Sequence, residues 1–492
     1  MRNLKVKIKK PMLLIIISVT LMLIIGITGT LELLGKGTVI LSLTGAIIFA
    51  GLMGCGIFSL LINVFREVFF IAETSRNFKR KIIKSGKYVV VILFTLIITL
   101  VAVLGTMLIY WNIRLPPSYE TDSVLQLETY IAIPPGNQLE KHHKSNTKLY
   151  YWKGNFYLTY QSSKWHLEDK NGELIIAKSP DASEGSWEII ASIKGPGQND
   201  VRDPLITEIN GSLFFYFLPN FRFDPGPNTT YWTVSDDGET WAEPQELEVN
   251  VLYEDGWKTE AGWVFGRQRP ITEDNITWYV MASGRKNNKR MTILLESTDG
   301  INWTEVSVVY DTYGSGEACM EFLPNGEFIA TLRVSAMSSW TGYEFGTPHA
   351  GTIIATSYNN HKNWSHHADF QTRMDGATLF TLNNRSRIFV AGRNHLGPRI
   401  DIGNHVSRKR TAIYEVKKDH LIHLFDLPSN GDTAYTGVVV RGDDIYVSYY
   451  TCPINKDYPW IVGICIHTET EIRIAKFSTS GLIEYANQIG GG

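Results

Sequence analysis

Cysteine is scarce in this chain, four in 492 residues, and the formal charge is nearly balanced at −2. Cys55 and Cys319 lie in apolar segments, and only Cys452 and Cys465 are close enough along the chain to suggest a bond. Two such cysteines do not make a disulfide framework. The paired histidines His142, His143, His366 and His367 have no third ligand at a usable spacing. They read as solvated, and neither a metal centre nor a cofactor is expected. Two further absences are informative: no sustained helical period from Thr147 onward, and no central charge in three long N-terminal runs.

Those runs, 11–34, 38–65 and 88–111, are built mainly of Leu, Ile, Val, Thr, Met and Gly. At about 1.5 Å per residue each is long enough to cross a hydrocarbon core about 30 Å thick. A lone signal peptide would account for the first run but not the other two. Basic residues cluster before the first run, from Arg2 to Lys10, and after the second, from Arg66 to Lys87. Lys and Arg near helix ends stay on the cytoplasmic side, which predicts a cytoplasmic N-terminus and an extracellular remainder. Residues 1–111 hold 13 Lys and Arg against 3 Asp and Glu, leaving 34 against 46 beyond them. That net of −12 argues against a nucleic-acid surface. The expected organisation is a membrane anchor of three transmembrane α-helices (1–111) with the bilayer as partner, a linker with a closing strand (112–146), and a β domain (147–492). Six Asn-x-Ser/Thr sites, at Asn210, Asn228, Asn275, Asn302, Asn363 and Asn384, are candidate glycan acceptors.

Within the β domain, short β-branched and aromatic runs recur between Gly, Asn and Asp turns, as at 156–160, 213–217 and 445–450. A unit of three strands followed by a turn and Trp recurs about every 45 to 60 residues, at 147–194, 201–248, 262–310, 316–370, 375–427 and 431–477. Its closing turn is nearly identical in Ser235-Asp-Asp-Gly-Glu-Thr-Trp241 and Ser297-Thr-Asp-Gly-Ile-Asn-Trp303, and degenerate at 179–187 and 357–364. In such a turn the carboxylate accepts backbone N–H groups, while the Ser hydroxyl and the Trp ring fasten the turn to its own sheet. The pattern resembles the Asp box of sialidases and other propellers. An all-β, six-bladed β-propeller is therefore expected, because radial repetition leaves no long sheet edge exposed. A β-sandwich is the alternative.

In a propeller the inner strand of each blade starts on one face, and the antiparallel second strand ends there. Inner-strand starts then contribute Arg202, Arg269, Glu317 and Tyr435 to a central cup, and second-strand ends contribute Arg285, Arg333 and Arg393. Packing alone does not explain so many arginines in one concavity of an acidic domain.

Over residues 200–450 the chain resembles the sialidase family. Val201-Arg-Asp-Pro-Leu-Ile206 is similar to the family's Arg-Ile-Pro opening, Glu317 to Arg333 to its central Glu, apolar strand, Gly turn and second Arg, and Thr433-Ala-Tyr-Thr-Gly-Val438 to the segment carrying its nucleophilic Tyr. The resemblance implies a retaining exo-glycosidase acting on a terminal sialic acid or related acidic sugar of glycoconjugates. It implies that Arg202, Arg333 and Arg393 clamp the sugar carboxylate, with Arg410 a substitute for the third, through charge-assisted bonds of roughly 1.5–3 kcal/mol each. Tyr435 becomes the nucleophile, a neutral phenol being better suited than a carboxylate to attack beside the substrate's own charge. Glu317 becomes its base and Asp224, in Phe221-Arg-Phe-Asp-Pro-Gly-Pro227, the acid for the leaving oxygen. Arg269 and Asp203 complete the expected binding set.

Asp203 departs from the family pattern. Arg-Asp-Pro also resembles the five-bladed furanosidase families that act on fructans and arabinans, which keeps a neutral-sugar glycosidase as an alternative. A non-catalytic propeller that binds carbohydrate or protein is another, since binding needs the arginines but not the Tyr435–Glu317 pair.

Overall fold

The structure, a computed structural model, describes residues 123–492 apart from 137–140, 167–168, 198–199, 221–227, 313–314, 335–350, 370–371, 397–406 and 491–492. Before residue 123 it describes only Leu93, 95–99, Ala102 and Gly105, all helical. The expected spans 11–34 and 38–65 thus lie outside the described residues, as does most of 88–111. Among the described residues no helix is long and apolar enough to cross a membrane. Contacts divide the chain into Met1–Ile113 and Arg114–Gly492.

The second unit contains five four-stranded sheets and one seven-stranded sheet. Their innermost strands, in chain order, are His143–Trp152, Asp200–Ile209, the short pair Val264–Phe265 and Ile271–Thr272, Ser315–Phe322, Asp375–Leu382 and Thr433–Arg441. These strands form a circuit. His143–Trp152 packs against both Asp200–Ile209 and Thr433–Arg441, and Asp375–Leu382 against both Ser315–Phe322 and Thr433–Arg441. The Thr207 hydroxyl donates to Pro270 O at 3.4 Å, and Arg267 N to Ala318 O at 2.9 Å, linking the third sheet to its neighbours. The arrangement is an all-β propeller.

Stacking one sheet on the next buries both faces, which is why runs such as 213–217 show no apolar–polar alternation. Phe214 and Tyr216 enter one core with Trp263, Phe265 and Trp303. Leu213, Phe215 and Phe217 enter the other, with Trp152 and Tyr157. The ring closes where Glu128–Ile133 adds antiparallel to Glu471–Ser478 as the outermost strand of the last sheet. Joining the two ends of the chain's β region in one sheet removes an edge.

Of the six like units expected, five have the four-stranded form and the third does not. Its inner strand is broken between Phe265 and Ile271. Pro270 has no N–H to give a ladder, and a Cβ on Gly266 would stand 2.2 Å from Ala318 O, so the chain swings toward the fourth sheet here. On the outer side the hairpin Val249–Tyr253/Gly256–Glu260 joins the same sheet by parallel pairing of Val249 with Trp303.

The two well-formed turns have the expected bonding. Asp237 Oδ1 accepts from Glu239 N and Thr240 N at 2.8 and 2.7 Å, and Asp299 Oδ1 from Ile301 N and Asn302 N at 2.8 Å each. Ser235 Oγ and Ser297 Oγ accept from Gly238 N and Gly300 N. The same geometry occurs at Thr272–Trp278, where Asp274 Oδ1 accepts from Ile276 N and Thr277 N at 2.8 Å each. Thr and Asn at the Ser and Gly positions hide that copy from a motif search. The pairing suggested for Cys452 and Cys465 does not form: both are free.

Candidate active site

Five of the inner strands share one local device. Each has a β-bulge near its start, in the intervals Ser145/Lys148, Arg202/Leu205, Gly316/Cys319, Asp375/Thr378 and Ala434/Gly437. Each bulge holds a left-handed residue at the same position: Asn146, Asp203, Glu317, Gly376 and Tyr435, with φ between +51° and +58°. Left-handed backbone costs a non-glycine residue roughly 1–2 kcal/mol. Paid at four of these strands, and avoided by Gly376 in the fifth bulge, that conformation turns five equivalent positions toward the same centre.

There the Tyr435 hydroxyl donates to Glu317 Oε1 at 2.5 Å. Glu317, 6% exposed, also receives Arg333 Nη1 at 2.6 Å, Gly376 N at 2.8 Å and, more distantly, Arg267 Nη2 at 3.5 Å. Arg267 Nη1 continues to Asp203 Oδ2 at 2.8 Å. On the other side Arg333 Nε stands 3.8 Å from Asp375 Oδ1, Arg373 Nε donates to that oxygen at 2.8 Å, and Arg393 Nη1 is 3.5 Å from Asp375 Oδ2. Arg393 Nη2 lies 3.4 Å from Asp432 Oδ1, Asp432 Oδ2 is 2.7 Å from His166 Nδ1, and His166 O accepts from Arg202 Nη2 at 3.0 Å. Since Arg202 adjoins Asp203, these contacts run full circle. The Tyr435 ring lies inside it, with the guanidinium carbons of Arg393 and Arg267 at 5.2 and 5.6 Å from its centroid.

The fields sort the protons. Burial alone would raise the Glu317 carboxyl, but Arg333 and Arg267 outweigh it and hold Glu317 below the usual carboxylate value. Burial, reinforced by the charge of Glu317, raises the Tyr435 phenol, against the opposing pull of Arg267, Arg333 and Arg393. The pair is therefore a neutral phenol bonded to a carboxylate, an arrangement in which Glu317 can accept the phenol's proton. Asp375 is held well below its ordinary value, burial being overcome by Arg373, His395 and Arg333. Three buried guanidinium nitrogens, Nε of Arg267, Nε of Arg333 and Nη1 of Arg373, have no hydrogen-bond partner among the described residues. A buried donor left so costs about 1–3 kcal/mol.

The structure thus brings together Tyr435, Glu317, Arg333, Arg393, Asp203 and, at the rim, Arg202. Asp224 lies outside the described residues. Arg410 is fully buried and donates to Asp457 Oδ1 at 2.7 Å, so its known ion pair is elsewhere. Arg285 is exposed near the hairpin end of Trp278–Lys286. Arg269, expected in the cup, is elsewhere: it stacks on Tyr150 at 5.0 Å and lines a cavity of about 510 Å³ at the other end of the inner strands. Two residues along an extended chain shift a side chain by roughly 6–7 Å, and it is Arg267 that reaches the cup. Sequence reasoning missed Arg267, Arg373 and Asp375. Arg373 and Asp375 precede the bulge glycine of the fifth inner strand, so aligning the strand starts by register would have found them.

The far cavity is lined by Lys148, Gln268, Arg269 and Glu321 among others. Burial raises Glu321 to about 7, opposed by Arg269, while Gln268 Nε2 donates to it at 3.1 Å. A carboxyl raised on folding contributes its stability below the unfolded value near 4.5 and loses it as pH rises through about 7. Glu321→Gln is therefore expected to stabilise the β unit above pH 7 by about 2–3 kcal/mol after allowance for water in the cavity, and to change nothing below pH 4.5. Urea unfolding followed by Trp fluorescence at both ends of that range checks it.

No family model matches the chain, and no curated protein matches its sequence. Solved structures do share its fold. Trypanosoma rangeli sialidase in complex with the inhibitor DANA aligns over 76% of this chain and 62% of its own length, at TM-score 0.53 and 13% identity. The same sialidase with 2,3-difluorosialic acid, as a covalent intermediate, aligns over 76% and 61% at TM-score 0.53 and 11% identity. Phage phi92 endosialidase aligns over 72% and 69% at TM-score 0.51 and 9% identity. The chain therefore spans about three fifths of the Trypanosoma sialidase.

Proposed function

We propose that the protein is a retaining glycosidase of sialidase type, removing a terminal acidic sugar, and that residues 1–111 anchor it in a membrane with the propeller outside. The observation that carries the chemistry is the Tyr435–Glu317 hydrogen bond inside a ring of arginines with unpartnered donors. The fold shared with sialidases supports the reading. The hydropathy and basic clusters of the N-terminal runs support the anchor.

In this mechanism the sugar carboxylate docks on the partly exposed guanidinium groups of Arg333 and Arg202, with Arg373 beside them as a third cation. Its negative charge offsets the field that holds Glu317 low, so Glu317 becomes a stronger base as substrate arrives. Tyr435 Oη attacks the anomeric carbon and passes its proton to Glu317, while a carboxyl from 221–227, Asp224, protonates the departing oxygen. Water, giving its proton to the Asp224 carboxylate, then takes the sugar from Tyr435 with net retention, and the departing phenolate recovers its proton from Glu317. Arg393, held by Thr433 O at 2.7 Å and Tyr450 Oη at 3.0 Å, keeps the Tyr435 ring in line.

The test is turnover of an aryl sialoside by the full-length protein, with the first-formed anomer read by proton NMR. Release of the α-anomer of the sugar is expected. No turnover of any sialoside, with free sialic acid still bound, would overturn the catalytic reading in favour of a binding propeller. Turnover confined to an arabinofuranoside would overturn the acidic-sugar assignment.

A further inference from the structure

The histidine pair at 142–143 does not behave as two solvated side chains. His143, first residue of the innermost strand of the first sheet, is fully buried. Its Nδ1 lies 2.8 Å from Thr468 O. A carbonyl oxygen only accepts, so Nδ1 carries the proton and Nε2 presents its lone pair on the opposite side of the ring. That Nε2 has no hydrogen-bond partner among the described residues, and it faces Asp432 Oδ2 at 3.6 Å. A lone pair directed at a carboxylate oxygen in a buried site is unfavourable unless a cation lies between them.

We infer that His143 Nε2, His166 Nδ1 and Asp432 Oδ2 form a binding site for a divalent transition-metal ion of the zinc type. The three residues come from the start of the first inner strand, the turn after the second strand of the same sheet, and the approach to the sixth inner strand, and one ligand atom from each lies within 4.8 Å of the other two. Zinc takes nitrogen and oxygen ligands at about 2.0–2.2 Å, which sets neighbouring ligands roughly 3.3–3.5 Å apart around a tetrahedron. The His143–Asp432 spacing of 3.6 Å already suits this, and the His166–Asp432 contact of 2.7 Å has only to open by less than about 1 Å. Two imidazoles and one carboxylate favour zinc and its neighbours over calcium or magnesium, which prefer all-oxygen sites.

The surroundings are those of a supported site. Asp432 Oδ1 accepts from Trp460 Nε1 at 2.7 Å and Tyr450 Oη at 2.8 Å, which orients the carboxylate and leaves Oδ2 for the histidines. The Thr468 carbonyl fixes the tautomer of His143, as outer-shell partners of metal-bound histidines do. Only His166 is partly exposed, with 18% of its side chain open, so exchange and a fourth ligand, water, come from that side. The site would tie the first sheet to the sixth between Arg202 and Arg393. It stands independently of which sugar, if any, the cup accepts.

The measurement is competition for Zn²⁺ between the metal-stripped full-length protein and a chromophoric chelator, repeated with Co²⁺ for its visible absorption. One ion per chain is expected, with the intense visible bands of low-coordinate Co²⁺. His166→Ala, whose ring is partly exposed, and His143→Gln are each expected to weaken binding by roughly a hundredfold or more, at least the loss typical of a disturbed outer shell. Circular dichroism checks that His166→Ala keeps the fold, so the result does not depend on the more buried position. Absence of saturable Zn²⁺ binding by the parent overturns the assignment, as does binding that His166→Ala leaves unchanged.

Discussion

Tyr435→Phe is expected to lower glycoside turnover by roughly 10⁴-fold while leaving ligand binding and the fold in place. The substitution removes one oxygen, the one that donates to Glu317 at 2.5 Å. Glu317 keeps Arg333 Nη1 at 2.6 Å and Gly376 N at 2.8 Å, so its charge stays compensated and the stability change should stay within about 1–2 kcal/mol. The guanidinium groups are untouched, so the proposed docking of a sugar carboxylate is expected to persist. Turnover and calorimetric affinity measured on one preparation separate the two effects. Unimpaired turnover would remove Tyr435 from the nucleophile's role. Loss of turnover together with loss of affinity would mean that the phenol serves binding instead.

Gly376→Ala should be nearly as damaging, though residue 376 touches no substrate in the proposed mechanism. Its φ is +58°, where a Cβ costs roughly 1–2 kcal/mol, and that Cβ would stand 2.5 and 2.6 Å from ring atoms of Tyr435 and 2.9 Å from its Cα. The obstacle includes backbone, so a rotamer change at Tyr435 does not relieve it, and overpacking adds about 1–3 kcal/mol. The expected result is a β unit less stable by about 2–5 kcal/mol and a kcat lower by roughly a hundredfold, because a displacement of about 1 Å suffices to part the phenol from its base. Thermal unfolding and turnover of the purified variant check both. A variant as stable and as active as the parent would show that Tyr435 is not held by this contact.

Why some of the site could be read in advance and some could not follows from where each residue gets its position. Glu317 and Arg333 lie on two strands of one hairpin, with Gly316 directly opposite Arg333, so local spacing already brings them together. The start of one strand and the end of another place Tyr435 and Arg393 in the same way. Arg267 was not, because its place depends on a break in an inner strand, and alternation along a strand cannot foresee a break. His143 reads as solvated while only its own neighbours are considered. Its burial comes from Asp432 and Thr468, which are distant in sequence and adjacent only once the ring is closed.

By itself the sequence determined the all-β repeat, the turns that close its units, the strand that joins the first and last parts of the domain, and the hairpin carrying Glu317 and Arg333. Each depends on interactions within one unit or on a plain period, and those are written in the order of the residues. Tertiary structure alone decided that the third sheet is irregular, that Arg267 rather than Arg269 faces Glu317, that Arg373 and Asp375 belong to the site, and that two histidines converge on Asp432. These depend on contacts between sheets, where side chains from different strands compete for the same few ångströms around the axis. The geometry of that axis exists only after the ring has closed.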